Sequence, residues 1–342
     1  MPTLNPIFTD GAILQADKPV RVFGEGEGSV TVTFGDTTVT AAPTEGGWLA
    51  TLPAQPYGGP HTMTVTLDGE ERTLTDVWFG DVYLLGGQSN MQFKMHGRMQ
   101  LGFKDELRGS EDVRLFTIDR PQVGDRFHPK DGWVPLLEQH AIAFSAIGYY
   151  LGHLLAGRGR KIGLVACYQG ASVIQSWLPP EVSSRPDLQT TDLFRDHEAY
   201  PQWNTFSLLY NTMITKLAPF TFSHILWYQG ESNITMGEAE LYPAMLEALI
   251  TSWRAVFLDE ELPFIVIQIA DYAPRLRHLP WQMIQTAQLA IEKKLPNVRT
   301  VISRDVCETN DIHPPTKLPL ARRIATYLLS LRGEKLEEEI QL

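Results

Sequence analysis

The sequence predicts an α/β fold, with a mainly parallel sheet that helices cover on both faces and a small antiparallel β-sandwich before it. From residue 77 onward, short apolar runs alternate with longer amphipathic segments, which is typical of strand–helix–strand units. The preceding residues instead alternate with a period of two between turn signals. We therefore predict an N-terminal β-sandwich domain over residues 1–76 and a larger α/β domain over residues 77–335.

The N-terminal strands are predicted from Val- and Thr-rich segments. These segments are "PVRVFGEG", "SVTVTFGDTTVTAA", "GWLATLPA" and "HTMTVTLDGEERTLTDV". Glycine-containing dipeptides separate them, as expected between the strands of an antiparallel sheet. The Asp-Gly pair in "LDGEER" predicts a two-residue hairpin, because both residues tolerate the positive φ of a type I′ turn.

The larger domain is predicted to alternate strands and helices. We predict strands at 82–85, 162–168, 224–228, 264–269 and 298–302. Helices are predicted at 141–156, 205–217, 238–257, 281–294 and 315–331. Ligands of such sheets bind beyond the carboxyl ends of the strands, so the loops that follow these strands are the places to search for a site.

Composition excludes several classes of protein. A net charge of −11 over 342 residues argues against a nucleic-acid binder and offers no basic patch for an anionic membrane. We expect no signal peptide and no membrane span, and hence a cytoplasmic protein. The two cysteines form no CxxC pair and the nine histidines are scattered, so we predict no metal site and no cofactor.

Polar residues collect after several predicted strands. Ser89 lies in "GGQSN" after the first strand, "YQGESN" follows the strand at 224–228, and "NDIHPP" carries Asp311 and His313. A serine, a histidine and a carboxylate at one sheet edge are the nucleophile, the general base and the orienting acid of a hydrolase. On the local sequence alone, Ser89 is more often a helix cap than a nucleophile, and no GxSxG motif surrounds it.

Three blocks carry a resemblance to a known family. "DVYLLGGQSNMQF", "LYNTMITKLAPFTFSHILWYQGESNI" and "NDIHPPTKLPLARRIA" resemble, in this order, the sialate O-acetylesterase and acetylxylan-esterase-like group of SGNH-type esterases. "IFTDGAILQADKPVRVFGEGEGSVTV" is similar to the N-terminal β-domain of the bacterial members. The resemblance implies a flavodoxin-like three-layer α/β/α domain and ester hydrolysis without a metal.

The resemblance also implies roles for individual residues. Ser89 matches the nucleophile, and His313 matches the general base. The backbone N–H groups of Ser89 and Gly170 match two donors to the oxyanion. The third donor is expected to be the side chain of Gln229, with Asn233 as the alternative, and Glu231 is expected to brace the loop or the base.

The position of the carboxylate departs from the family pattern. Asp311 stands two residues before His313, whereas many members carry the aspartate three before, where this chain has Asn310. Two arrangements stay open at this point. Asp311 completes a catalytic triad, or the enzyme uses a Ser89–His313 dyad whose histidine is oriented by Glu231 or a backbone carbonyl.

The substrate implied by the resemblance is a small O-acetylated carbohydrate, with an O-acetyl sialic acid preferred over acetylxylan or another glycan. Trp177 could stack on the sugar or belong to the core, and Gln88 could contact the substrate. Arg98, Arg275 and Arg304 are candidates for binding a carboxylate, or for surface ion pairs. A general short-chain acyl esterase and an inactive carbohydrate-binding homologue remain alternatives, and a homo-oligomer is compatible with the sequence.

Overall fold

The computed structural model describes residues 1–100, 107–120 and 132–336. Its described strands are β1 (Thr3–Leu4), β2 (Ile13–Gln15), β3 (Val20–Glu25), β4 (Val30–Phe34), β5 (Thr37–Thr40), β6 (Ala42–Thr44), β7 (Gly47–Leu52), β8 (Gly58–Leu67), β9 (Glu70–Gly87), β10 (Ser110–Thr117), β11 (Val134–Leu136), β12 (Ile162–Tyr168), β13 (His224–Tyr228), β14 (Phe264–Ile267) and β15 (Val298–Val301). None of the helices in these ranges is both long enough and apolar enough to span a membrane.

The α-helices are short before residue 235 and long after it. They are α1 (Ser89–Gln92), α2 (Met95–Gln100), α3 (Glu138–Ala141), α4 (Ala146–Leu155), α5 (Pro180–Ser183), α6 (Asp196–Ala199), α7 (Pro201–Asn204), α8 (Thr215–Leu217), α9 (Met236–Val256), α10 (Leu279–Lys294) and α11 (Leu318–Ser330). Single 3-10 turns lie at Ile174–Trp177, Pro186–Leu188 and Ala273–Arg275, and a π-turn lies at Tyr210–Ile214.

One large sheet organises the chain. Seven of its strands follow the order β11-β10-β12-β9-β13-β14-β15, in which every neighbouring pair is parallel except β10 with β11. Strand β8 joins the same sheet by pairing antiparallel with β9. The predicted α/β chain with a large sheet is confirmed, and that sheet is mixed. A second, antiparallel sheet has the order β1-β3-β7-β6.

Strand β9 belongs to both halves of the chain. Its first residues pair with β8 and are mostly exposed, whereas its last residues are buried between β12 and β13. The hairpin that leads into β9 turns at Asp68 and Gly69, which have φ values of 50° and 89°, as predicted for Asp-Gly. The boundary predicted between residues 76 and 77 therefore falls inside one continuous strand.

The N-terminal strands share one hydrophobic core with the larger part of the chain. Phe8 packs against Phe220 with ring centroids 5.9 Å apart, and the indole Nε1 of Trp133 donates to the carbonyl of Ile7 at 2.8 Å. Lys18 Nζ lies 3.0 Å from the Asp259 carboxylate. Apolar and polar contacts thus both cross the predicted boundary.

Gly87 ends the central strand in a conformation that only glycine tolerates well. Its φ is +121°, and a Cβ placed on it would lie 2.1 Å from the carbonyl oxygen of Tyr228. The neighbouring backbone is tied on both sides, because Gln169 N–H donates to Gly87 O and Gln88 N–H donates to Tyr228 O, each at 2.9 Å. The ends of β9, β12 and β13 are therefore held together directly before Ser89.

Most predicted elements of the larger domain are present with shifted ends. The strands at 162–168 and 224–228 match β12 and β13, and the long helices match α9, α10 and α11. The helix predicted over 205–217 is reduced to the π-turn and α8. Strands β10 and β11 were missed, because polar residues interrupt the apolar pattern of the first and the second has only three residues.

Deletion of residues 1–76 is expected to prevent folding of the remainder. The deletion removes β8 and the first seven residues of β9, and it uncovers Phe220, which is buried and packs against Phe8. The truncated chain should be insoluble, or should lack a cooperative thermal transition by circular dichroism where the full chain has one. A soluble truncated chain that unfolds cooperatively would contradict this.

Candidate active site

Ser89 and His313 meet at the carboxyl edge of the sheet. The hydroxyl Oγ of Ser89 lies 2.8 Å from the ring Nε2 of His313, which is hydrogen-bond distance between a nucleophile and a general base. The N-cap of α1 is Gln88 and not Ser89, and no side chain caps this helix. The helix-cap interpretation of Ser89 is therefore not what the structure shows.

The surroundings of His313 favour its neutral imidazole. Burial lowers the pKa of its imidazole, and the positive charge of Lys317 lowers it further, whereas Asp311 acts in the opposite direction. A lowered pKa keeps the ring unprotonated at neutral pH. In that form it can accept a proton from Ser89.

Asp311 contacts the backbone of His313. Its Oδ1 accepts from the His313 N–H at 2.8 Å, a short-range contact of the kind that stabilises Asx turns. The carboxylate thereby shapes the loop that carries His313. Its influence on the ring is electrostatic, through the pKa of His313.

Gly170 lies beside Ser89. A Cβ placed on Gly170 would be 3.6 Å from the Cβ of Ser89. Its N–H does not point into an open site, because it donates to Oε1 of Gln92 at 2.7 Å. The structure therefore places a side-chain oxygen on the donor that was predicted to bind the oxyanion.

The geometry argues against Gln229 and Asn233 as oxyanion donors. The Gln229 amide nitrogen donates to Ser172 O at 3.1 Å and to Asn233 Oδ1 at 2.7 Å. The Asn233 nitrogen in turn donates to Gln175 Oε1 at 2.7 Å and to Glu238 Oε1 at 3.1 Å. Each amide group has two N–H donors, so both are already used inside the protein. These two side chains join the loops below the site.

Trp177 and Gln88 do not face a substrate. Trp177 is fully buried, donates to Ser172 Oγ at 3.0 Å and packs edge-on against Trp227, so it is a core residue. Gln88 is only 2% exposed. Its amide oxygen accepts from Gly230 N–H at 3.2 Å, which links the turn before Ser89 to the loop after β13. Both predictions of substrate contact are therefore corrected.

The three candidate arginines are not assembled into one carboxylate site. Arg98 is buried, donates to the carbonyl of Pro315 and lies over the ring of Tyr150. Arg304 is paired with Asp271 at 2.7 Å on the surface. Arg275 ends the 3-10 turn Ala273–Arg275 and is half-buried. Their different positions favour separate roles.

Asn90 and Lys317 are residues of the site that the sequence analysis missed. Asn90 Nδ2 donates to Glu231 Oε1 at 2.6 Å and to the carbonyl of Ile312 at 2.9 Å. Lys317 Nζ donates to Asn90 Oδ1 at 2.7 Å. The expected bracing role of Glu231 is thus directed at Asn90. The position of Asn90 next to Ser89 was an available signal, whereas nothing in the pattern distinguishes Lys317 from a surface lysine.

Comparison with known proteins identifies the family. The family model for carbohydrate esterases described as sialic acid-specific acetylesterases matches residues 79–328, more than half of the chain. The chain belongs to this family. The predicted resemblance is confirmed, and so is the prediction of a carboxylic ester hydrolase of the carbohydrate-esterase class.

Individual relatives agree with the family assignment. The sialate O-acetylesterase of Rattus norvegicus is 26% identical, over 88% of this chain and 68% of its own length. That of Homo sapiens is 28% identical, over 84% of this chain and 61% of its own length. The crystal structure of a carbohydrate acetylesterase from Xanthomonas citri is 30% identical, with a TM-score of 0.79, over 98% of this chain and 76% of that one. The chain thus spans about two thirds of the length of the curated relatives.

Replacement of Trp177 tests its position in the core of this esterase. Trp177→Ala should lower the free energy of unfolding by about 3–5 kcal/mol, the usual cost of truncating a buried aromatic side chain, measured by urea denaturation. Leu289→Ala on an exposed helix surface should change it by less than about 0.5 kcal/mol. If Trp177→Phe instead raised KM severalfold with unchanged stability, the side chain would be a substrate contact.

Proposed function

We propose that the chain removes O-acetyl groups from a carbohydrate, with an O-acetyl ester of sialic acid as the preferred substrate, through an acetyl-enzyme on Ser89. The observation that carries the proposal is the 2.8 Å contact between Ser89 Oγ and His313 Nε2 in a member of a carbohydrate esterase family. The lowered pKa of His313 supports it, because a neutral imidazole can act as the base.

We further propose that residues 77–335 form an SGNH hydrolase domain with a flavodoxin-like three-layer arrangement, and that residues 1–76 form a β-sandwich domain packed on it. The parallel pairing of β12, β9, β13, β14 and β15 supports the first part. The antiparallel strand pairs β3–β7 and β4–β8 support the second. In this interpretation β9 is the strand that both domains share.

The reaction would proceed in two steps. As Ser89 Oγ bonds to the acetyl carbon, its proton passes to His313 Nε2. The tetrahedral intermediate collapses when the ester C–O bond breaks and His313 returns the proton to the departing sugar hydroxyl. Water then attacks the acetyl-serine with the same histidine as base. Acetate leaves, and the proton returns to Ser89 Oγ.

We propose that the backbone N–H groups of Ser89 and Gly170 bind the oxyanion. The close approach of the two residues supports this pair, because a Cβ placed on Gly170 would lie 3.6 Å from the Cβ of Ser89 and 3.8 Å from its Cα. The Gly170 N–H now donates to Gln92 Oε1, so the Gln92 side chain must leave that donor when the acetyl oxygen enters. A single oxyanion donor of this kind contributes about 3–4 kcal/mol to transition-state stabilisation. This gain offsets the loss of the hydrogen bond between Gly170 and Gln92.

We propose that the base works without a carboxylate on its ring, as a Ser89–His313 dyad. The hydrogen bond between Asp311 and His313 joins a carboxylate oxygen to the backbone N–H and not to the ring. The carbonyl of Ile312, the residue before His313, is held by Asn90. The loop backbone, rather than a hydrogen bond to the ring, would then orient the imidazole.

Ser89→Ala is expected to reduce the hydrolysis of an aryl acetate by about 10⁴-fold or more, because the nucleophile and base act as a unit. Acetate release from 9-O-acetyl sialic acid should fall in parallel. Ser184→Ala, at an exposed serine, is the matched control and should retain full activity. Substantial turnover by Ser89→Ala would contradict the proposed mechanism.

A panel of acetylated sugars tests the substrate. With 9-O-acetyl sialic acid, acetylated xylooligosaccharides and aryl esters from acetate to octanoate, we expect the highest kcat/KM on the sialic acid ester and a decline with acyl length. A preference for the xylooligosaccharides would favour the glycan alternative. A preference for octanoate would indicate a general acyl esterase.

Asp311→Asn distinguishes the dyad from a triad. The new amide oxygen can still accept from the His313 N–H, so kcat should fall by less than about tenfold. Loss of the negative charge removes the influence that raises the pKa of His313, so the acidic limb of kcat/KM should move to lower pH. A loss of about 10⁴-fold, as when an orienting carboxylate is removed, would establish a triad instead.

A further inference from the structure

Asn90 joins four parts of the site. It follows the nucleophile directly, and its side chain binds Glu231 in the loop after β13, Ile312 beside the base, and Lys317 just before α11. We call Asn90, Glu231 and Lys317 the Asn90 cluster. All three side chains are buried, with Lys317 fully so.

The partners of Asn90 permit only one orientation of its amide. Lys317 can only donate, so the Asn90 oxygen must face its Nζ. The carbonyl of Ile312 can only accept, so the Asn90 nitrogen must face it. The two N–H groups and the oxygen thus each have a partner, at 2.6, 2.9 and 2.7 Å. A side chain held in this way is a rigid link from the nucleophile turn to the base loop.

From this geometry we propose that the Asn90 cluster positions the catalytic base. Asn90 holds the carbonyl of Ile312, and thereby the distance between His313 Nε2 and Ser89 Oγ. Lys317 orients the Asn90 amide and places a buried positive charge near the imidazole. The three residues are positioning residues, since none of them is proposed to touch the substrate. The inference rests on the proposed function for its catalytic meaning.

Several charged groups face the members of this arrangement. His313 faces Lys317, which lowers its pKa, and Asp311, which raises it.

Burial and the charge of Arg98 lower the pKa of Lys317 to about 8. Three groups act in the opposite direction and raise it, namely Cys307, Glu231 and Glu308. The rings of Phe93 and Tyr228 lie 5.3 and 5.6 Å from its Nζ. At neutral pH Lys317 is therefore mostly charged, and its charge adds to the lowering of the His313 pKa that burial causes.

Lys317→Met tests the charge without a large change in side-chain volume. Removal of the positive charge should raise the pKa of His313, so the acidic midpoint of kcat/KM should move to higher pH by about 0.5–1 unit. The same shift should appear in an NMR titration of the His313 imidazole, assigned with His313→Gln. Lys293→Met, at an exposed lysine of α10, is the matched control and should leave both values unchanged.

Asn90→Ala tests the link to the base loop. Loss of the two N–H donors should lower kcat about 10- to 100-fold and change KM by less than about threefold, because the substrate site is not altered. Circular dichroism and thermal unfolding check that both variants are folded. A folded Asn90→Ala enzyme with the wild-type kcat, or a Lys317→Met enzyme with an unshifted His313 pKa, would overturn the proposal.

The acetate-release assay and the NMR titration test the proposed function and this inference separately. A wild-type protein that releases no acetate from any ester would refute the proposed function. The NMR comparison of wild type with Lys317→Met would still decide whether Lys317 controls the imidazole, since it needs no turnover. An active enzyme with unshifted His313 would refute only the role of the cluster.

Discussion

The contact between Ser89 Oγ and His313 Nε2 joins residues 224 positions apart, and the arrangement of the sheet makes it possible. Gly87 ends the central strand between the carboxyl ends of β12 and β13. This fixes the position of Ser89, two residues later. His313 lies in the loop after the edge strand β15. The site therefore depends on long-range packing rather than on any local turn.

Below this contact lies a layer of buried polar side chains that hold one another. Gln229, Asn233 and Glu238 bind mainly to each other and to neighbouring loops, and Tyr242 donates to Gln229 Oε1 at 3.1 Å. Buried polar groups are tolerated when their hydrogen bonds are satisfied. The layer gives the loops a defined geometry. Its amide and carboxylate groups are used for hydrogen bonds within the protein and not for binding a substrate.

The sequence was sufficient to predict the strands around the site, because buried parallel strands have continuous apolar runs. It also predicted Ser89 and His313, whose residue types and positions after strands narrow the choice of chemistry. It could not predict the partners of Gln229 or the burial of Trp177. An amide has the same sequence signal whether it faces a ligand or another loop, and a tryptophan suits both a core and a sugar site. Lys317 was missed because a buried lysine is rare.

The 18 residues of β9 have one further consequence. Side chains of a strand alternate between its two faces, so a shift of one residue reverses every face beyond it. This alternation is already interrupted within β9, because the register with β8 shifts between Leu74 and Phe79 and Asp76 has a φ of 56°. A single-residue insertion or deletion between Val77 and Gly87 would turn the buried face of the central strand outward, unless a further bulge absorbed it. The irregularity at Asp76 therefore separates the register of the exposed N-terminal half of β9 from that of the buried half that leads to Ser89.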